Sequence, residues 1–290
     1  MVVSIAHLGP IGTNAETAAI GYSQWLKQKY NIESLLCPCP SIAQSLLSVA
    51  QGKAEVAVVP VENSIGGSVA TTLDSFWELE GLQIQQALIL PIYHTLLSKS
   101  SSLQELKTVY SHPQALTQCQ VWLEQNVPSV QLVPTNSTTE ALQHLPQNTT
   151  AGAIASPRAS KLYGLPILAP EINDYPDNCT RFWVVGLKPT THGSHTSLAF
   201  SVPANIPGTL VKPLQVFAKR QINLSRIESR PTKRSLGEYL FFIDLEKNSS
   251  LHSVQDALKE LNNHTEVLKV FGHYDFLPID LKQIGIYGTS

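Results

Sequence analysis

Three short polar clusters in this chain carry the residue types of a small-molecule site. Thr180-Arg181-Phe182 offers a hydroxyl and a guanidinium. Glu62-Asn63-Ser64 offers an acid, an amide and a hydroxyl, and Glu228-Ser229-Arg230-Pro231 a second charged group. A guanidinium presents paired N–H donors that match a carboxylate, although a surface salt bridge is an arginine's usual fate. Two strand-to-helix corners add to the set: Gly9-Pro10-x-Gly12-Thr13 and Ser111-His112-Pro113-Gln114. Amides at a helix start attract anions, and Ser111 and Gln114 add a hydroxyl and a carboxamide. The glycine corner, taken alone, is either a plain turn or an anion site. It lacks the third glycine of a dinucleotide fingerprint and the Gly-Lys-Ser/Thr of a phosphate loop. His112 has no visible partner and reads as structural. The chemistry on offer is recognition of carboxylates, with a hydroxyl donor among them.

Composition narrows the partners. The chain has 290 residues, 43% apolar and 14% charged, with net charge -2. That is an ordinary globular composition with no basic excess to draw nucleic acid or anionic lipid. The N-terminus reads as a first strand rather than a signal peptide, and no apolar run is long enough to span a bilayer. A soluble, cytoplasmic protein is expected. Cys37, Cys39, Cys119 and Cys179 have no metal-type spacing and read as reduced packing residues, so no metal is expected.

Stepping along the chain, residues 1–187 alternate strand and helix. Capping boxes stand at Thr13-x-x-Glu16, Ser41-x-x-Gln44 and Ser137-x-x-Glu140. This predicts an α/β architecture with a largely parallel sheet and helices on both faces. The pattern restarts near Gly81, which predicts a second lobe over about 81–172. The strand Phe182 to Val185 would return to the first lobe, as in two-lobed, periplasmic-binding-protein-like folds. Glu62, Asn63 and Ser64 follow the most apolar strand and so fall at the edge of the sheet where such folds bind ligands. A single helix is predicted over Gln114 to Asn126. Residues 188–195 read as a linker. Residues 196–277 follow the ferredoxin-like order βαββαβ, and 278–290 read as a loosely held tail.

Together, Gly9-Pro10-x-Gly12-Thr13, Pro60-Val61-Glu62-Asn63-Ser64, Ser111-His112-Pro113-Gln114-Ala115, Ser137-Thr138 and Asn178-x-Thr180-Arg181-Phe182 resemble the prephenate dehydratase family. Gly208-Thr209-Leu210 and Ile222-Asn223-Leu224-Ser225-x-Ile227-Glu228-Ser229-Arg230-Pro231 resemble its phenylalanine-binding ACT domain. Some positions depart: Asn14 and Ala15 replace the usual aromatic and serine, Asp177 an asparagine, and Thr209 an alanine. The resemblance implies conversion of prephenate to phenylpyruvate, without cofactor, in phenylalanine biosynthesis. It implies Thr180 as the catalytic residue. Gly12, Thr13, Asn63, Ser64, Ser111 and Gln114 would hold the substrate's carboxylates, with Arg181 and Phe182 beside them.

It further implies L-phenylalanine as effector, bound by Gly208, Thr209, Leu210 and Glu228, Ser229, Arg230, Pro231, in a homodimer or homotetramer. The catalytic half is then expected to work without residues 196–290 and to ignore phenylalanine. Two other readings stand beside this one: an arogenate dehydratase, and a non-catalytic two-lobed sensor of amino acids or carboxylates.

Overall fold

The computed structural model describes residues 2–135, 137–145, 148–203, 206–246 and 251–285. Lobe 1 opens with β1 (Val2–Leu8), α1 (Asn14–Tyr30), β2 (Glu33–Cys39), α2 (Ile42–Ala50), β3 (Val56–Asn63), β4 (Gly67–Ser68), α3 (Ala70–Glu78) and β5 (Gln83–Pro91). Lobe 2 holds β6 (Thr95–Ser98), β7 (Thr108–Ser111), α4 (Pro113–Thr117), α5 (Gln120–Asn126), β8 (Gln131–Pro134), α6 (Thr138–Ala141), β9 (Ala151–Ala155), α7 (Pro157–Tyr163) and β10 (Ile167–Ala169). The chain returns to lobe 1 as β11 (Cys179–Gly186). The third unit holds β12 (His195–Ser201), α8 (Val211–Ala218), β13 (Asn223–Pro231), β14 (Tyr239–Glu246), α9 (Leu251–Asn262) and β15 (Val267–Tyr274), and β16 (Phe276–Pro278) follows it.

The lobe 1 sheet has the order β16-β5-β11-β3-β1-β2, and the lobe 2 sheet β10-β6-β9-β7-β8. Two crossing segments therefore join the lobes, as the alternation predicted. The restart near Gly81 is not the lobe boundary, however. β5 stays in lobe 1, because β11 pairs with it along its whole length, antiparallel to both β5 and β3. The sheet is thus mixed at its centre. β6 follows β5 so closely that the two read as one apolar run in sequence.

The third unit has the order β13-β14-β12-β15, the arrangement expected of βαββαβ. Its helices cover one face of the sheet through a core that includes Phe200, Val216, Phe217 and Leu261. The other face does not meet solvent. Ala199, Leu240, Phe242, Phe271 and Tyr274 share one core with Val59, Leu73, Phe76 and Trp183 of lobe 1. Phe76 meets Trp183 and Phe271 edge-on, with ring centroids 5.0 and 5.2 Å apart. The linker is pinned as well, since Ser194 N–H donates to Asp275 and Gln85 donates to the Lys188 carbonyl.

The tail also departs from expectation. β16 adds a parallel strand beside β5, and Ile279 and Leu281 are buried against α1 in the core on the opposite face of the lobe 1 sheet. Gly21 on α1 makes room for this: a Cβ there would lie 2.7 Å from Ile279. Lys161 of α7 then donates to the Gly285 carbonyl, so the segment reaches lobe 2. Residues 286–290 lie outside the described residues.

Charges close the rim of the seam. Arg230 places Nε and Nη2 3.1 Å from the two Asp74 oxygens, and Lys233 Nζ lies 3.0 Å from the same carboxylate. Burial raises the Asp74 pKa, but Arg230 and Lys233 outweigh it and hold the carboxyl below its usual value. The folded value lies below the unfolded one. The contribution of Asp74 to stability is therefore complete above about pH 4 and is lost as pH falls through the folded value. Thermal melting across this range should show wild type losing stability more steeply than Asp74→Asn. Parallel curves would remove Asp74 from the seam's acid sensitivity.

Candidate active site

The ends of β3 and β11 meet where lobe 1 faces lobe 2, with Thr180 paired to Asn63 and Arg181 to Glu62. Asn63 Oδ1 accepts from the backbone N–H groups of Ile65 (3.2 Å) and Gly66 (2.8 Å). A backbone N–H can only donate, so these two bonds fix which end of the carboxamide is oxygen. The amide nitrogen then donates to Thr180 Oγ1 at 3.0 Å and to Asn178 Oδ1 at 2.8 Å. Thr180 Oγ1 is an acceptor in this pair. Its own proton has no acceptor among the described hydrogen bonds and is available to a ligand.

Lobe 2 completes the network. Gln118 Nε2 donates to Asn63 Oδ1 at 3.2 Å, and Gln118 Oε1 accepts from Asn178 Nδ2 at 2.8 Å. His94 Nε2 lies 2.9 Å from the same Gln118 oxygen, which makes that nitrogen the N–H donor. Burial pushes the His94 pKa below its usual value, against the opposing effect of the Gln118 bond. The predicted helix Gln114 to Asn126 breaks into α4 and α5 beside this residue, and Gln118 and Cys119 are both buried there.

The cleft has a volume of about 280 Å³. Its polar lining includes Asn14, Asn63, His94, Gln114, Gln118 and Thr180, with Ser137 and Thr138 at the start of α6, and Leu8, Ile92 and Ala115 supplying apolar wall. No lysine or arginine stands among these lining residues.

The structure brings Thr180, Asn63 and Gln114 to the cleft and places the other expected groups differently. Ser64 Oγ accepts from the Cys179 N–H at 3.0 Å and so stitches the two strand ends together. Thr13 caps α1, accepting from the Glu16 N–H and donating to the Leu8 carbonyl. The Gly12 N–H is held by Glu16 Oε2 at 2.8 Å, and the same carboxylate takes Arg158 of lobe 2 at 3.0 Å. Gly12 and Thr13 thus shape the corner, and Glu16 latches the lobes. Ser111 is fully buried and donates to the Ile154 carbonyl at 2.7 Å. Phe182 is buried in the core below the cleft. Arg181 projects from the reverse face of β11, toward β14, because successive side chains on a strand alternate. His112 caps α4, as its structural reading expected, and its ring also borders the cleft.

Sequence reasoning missed His94, Gln118 and the role of Asn178. Asn178 stood in the quoted motif but was given no role. Gln118 and His94 carried no local signal beyond being polar residues at the margins of apolar stretches.

The second motif pair lies at one end of the third sheet. The register puts Ser201, Leu240 and Arg230 in a single row. Gly208-Thr209-Leu210, which follows β12 and leads into α8, therefore stands at the same end as Glu228 to Pro231. Arg230 itself is turned to Asp74, and Glu228 lies 3.6 Å from Arg226. Ser229 and Pro231 are exposed on the opposite face of the strand. A cavity of about 620 Å³ opens at this end, bordered by Trp77, Thr209, Arg234, Glu238, Phe241 and Glu266.

Comparison with known proteins assigns both halves. Residues 5–190 match the prephenate dehydratase family, and residues 196–263 match the ACT domain. A bifunctional chorismate mutase/prephenate dehydratase of Aquifex aeolicus (strain VF5) is 42% identical over 94% of this chain and 73% of its own length. A prephenate dehydratase of Methanocaldococcus jannaschii is 35% identical over 91% of this chain and 95% of its own. Among solved structures, a prephenate dehydratase from Arthrobacter aurescens in complex with L-Phe superposes with a TM-score of 0.82. It is 33% identical and covers 94% of this chain and 90% of that one.

Proposed function

Because the chain belongs to the prephenate dehydratase family, we infer that its cleft converts prephenate to phenylpyruvate with Thr180 as the hydrogen-bond donor to the leaving oxygen. The observation that carries this reading is the direction of the Asn63–Thr180 bond. Asn63 donates, so the threonine proton is free to point into the cleft. In the reaction the ring carboxylate leaves as carbon dioxide, and the electrons of that C–C bond flow into the ring. The C–O bond to the ring hydroxyl breaks, and the departing hydroxide leaves as water once it gains a proton. The new aromatic ring supplies the driving force, so the protein has to hold the dianion and stabilise the departing oxygen. Thr180 donates to that oxygen. Full proton transfer from an unactivated threonine is not required.

With no cation in the lining, the carboxylates rest on neutral donors. Asn14, Gln114, Ser137 and Thr138 line the cleft, which supports giving them this task. The Glu16–Arg158 pair and the Gln118–Asn63 bond hold the lobes together around the ligand.

The ACT half makes L-phenylalanine the effector, bound at the end of the sheet where Gly208 and Ser229 lie. β13 is the edge of that sheet, with Ile227 exposed on it, so a second copy of the chain is placed to cover it in a homodimer or a dimer of dimers.

Turnover of prephenate, followed through the enolate of phenylpyruvate, tests the reading. Arogenate run in parallel separates the keto from the amino substrate. Binding of either compound without product would favour a non-catalytic sensor. Sedimentation with and without L-phenylalanine tests the assembly.

A further inference from the structure

Thr180 and Arg181 are neighbours on β11, and Asn63 and Glu62 are neighbours on β3. While Thr180 and Asn63 meet at the cleft, their neighbours meet on the reverse side of the sheet. There Arg181 Nη2 donates to Glu62 Oε2 at 2.8 Å and to Asp244 Oδ2 at 2.7 Å. Asp244 belongs to β14 of the ACT sheet and is 1% exposed. Its other oxygen accepts from Ser197 Oγ at 2.6 Å. Arg226 of β13 stands 3.5 Å from Asp244 and donates to Ser68 of lobe 1 at 2.9 Å. β13 is also the strand that carries Glu228 to Pro231. A line of charge thus runs from the regulatory strand to the back of the catalytic pair.

Asp244 is costly where it stands. It is buried at the seam beside the apolar core of Phe242, Phe271 and Tyr274, and a buried carboxylate is tolerated only when paired and hydrogen-bonded. Ser197 and Arg226 of its own sheet share the carboxylate, but the shortest cation contact, Arg181 at 2.7 Å against 3.5 Å for Arg226, comes from the other domain, so the site joins the two domains. The strand geometry points the same way. The β11–β3 pairing slips between Arg181 and Phe182, directly after the Thr180–Asn63 and Arg181–Glu62 pairs. The extra residue is Val61 of β3, next to Glu62, and a bulge re-aims the side chains beside it.

We propose that Arg181 is a positioning residue for the dehydration: anchored to Asp244 and Glu62, it sets the aim of the neighbouring Thr180–Asn63 pair and makes that aim depend on the placement of the ACT sheet. The proposal rests on the reading of Thr180 as donor. It gives the arginine of the Thr-Arg-Phe motif a task that needs no contact with substrate.

The test is the double variant Arg181→Met with Asp244→Leu. Replacing a buried ion pair by apolar chains of similar size is often neutral or stabilising. Arg226 loses Asp244 in this variant but keeps Glu228 and Ser68, and thermal melting establishes that the fold is retained before kinetics are read. The expected result is a native melting temperature, a kcat about tenfold lower, a KM within about twofold of wild type, and loss of the response to L-phenylalanine. Asp244→Asn keeps the shape and an acceptor for Ser197. It should show a smaller fall in kcat, and it carries the test if the double variant does not fold. Wild-type kcat in either folded variant, beside a crippled Thr180→Ala, overturns this proposal alone. Full turnover in Thr180→Ala overturns the underlying reading and this proposal with it.

Discussion

Thr180→Ala is expected to lower turnover about a hundredfold, with KM changing by no more than about threefold. In the proposed role the side chain contributes one donor to the departing oxygen, and the developing negative charge there is greatest in the transition state. Ground-state binding relies on other groups, so the loss falls on kcat. The variant should fold normally, since the hydroxyl's bond in the free protein is to Asn63 Nδ2, which keeps Asn178 Oδ1 and the Cys179 carbonyl as acceptors. Thr180→Ser restores the hydroxyl and should recover most of the activity. Steady-state kinetics on the three proteins decides the matter. An alanine variant with wild-type kcat would remove the threonine from the chemistry.

Deleting residues 196–290 is expected to leave no stable catalytic half. From sequence, the linker promised an autonomous lobe pair that would work and ignore phenylalanine. The structure implies the opposite. The deletion strips Leu240, Phe242, Phe271 and Tyr274 from one face of the lobe 1 sheet, and Ile279 and Leu281 from the other. Losing a large buried apolar side chain typically costs about 2–5 kcal/mol, and a whole domain is stable by only about 5–15 kcal/mol. The losses exceed the reserve. The truncated chain should aggregate or bind a hydrophobic dye, with weak near-ultraviolet circular dichroism. A soluble, cooperatively melting and active fragment would show that the seam is dispensable. Regulation is therefore better tested by substitutions within the full chain than by truncation.

Much of this protein was legible before its structure. The alternation of strand and helix, the βαββαβ order and the linker follow from hydrophobic period and turn residues, which act locally. The motif Thr180-Arg181-Phe182 beside Asn178 and the run Glu62-Asn63-Ser64 marked the true strand ends, because polar residues at the end of an apolar strand have few other uses. Thr13 and Ser41 cap their helices, accepting from the Glu16 and Gln44 N–H groups, while the Glu16 carboxylate of the expected box turns to Gly12 N–H instead.

What sequence could not supply was direction. Thr180 and Arg181 are adjacent in the chain and similar in promise, yet strand alternation sends one to the cleft and the other to Asp244 on another domain. Nothing local distinguishes the two faces of β11. Ser111 offered a hydroxyl that the Ile154 carbonyl holds, and Gly12 an amide that Glu16 holds. Gln118 and His94 joined the site only through partners across the cleft, far away in sequence.

The tail and the ACT sheet illustrate the same limit on a larger scale. Their amphipathic pattern shows that an apolar face must be covered, but not by what. Ile279 on α1 and Phe271 on Phe76 are choices made by tertiary packing. The sequence by itself determined most of the elements, their order and the chemical vocabulary of the site. Only the folded chain decided which of those groups face the cleft and which face each other, because that depends on contacts between residues far apart in the sequence.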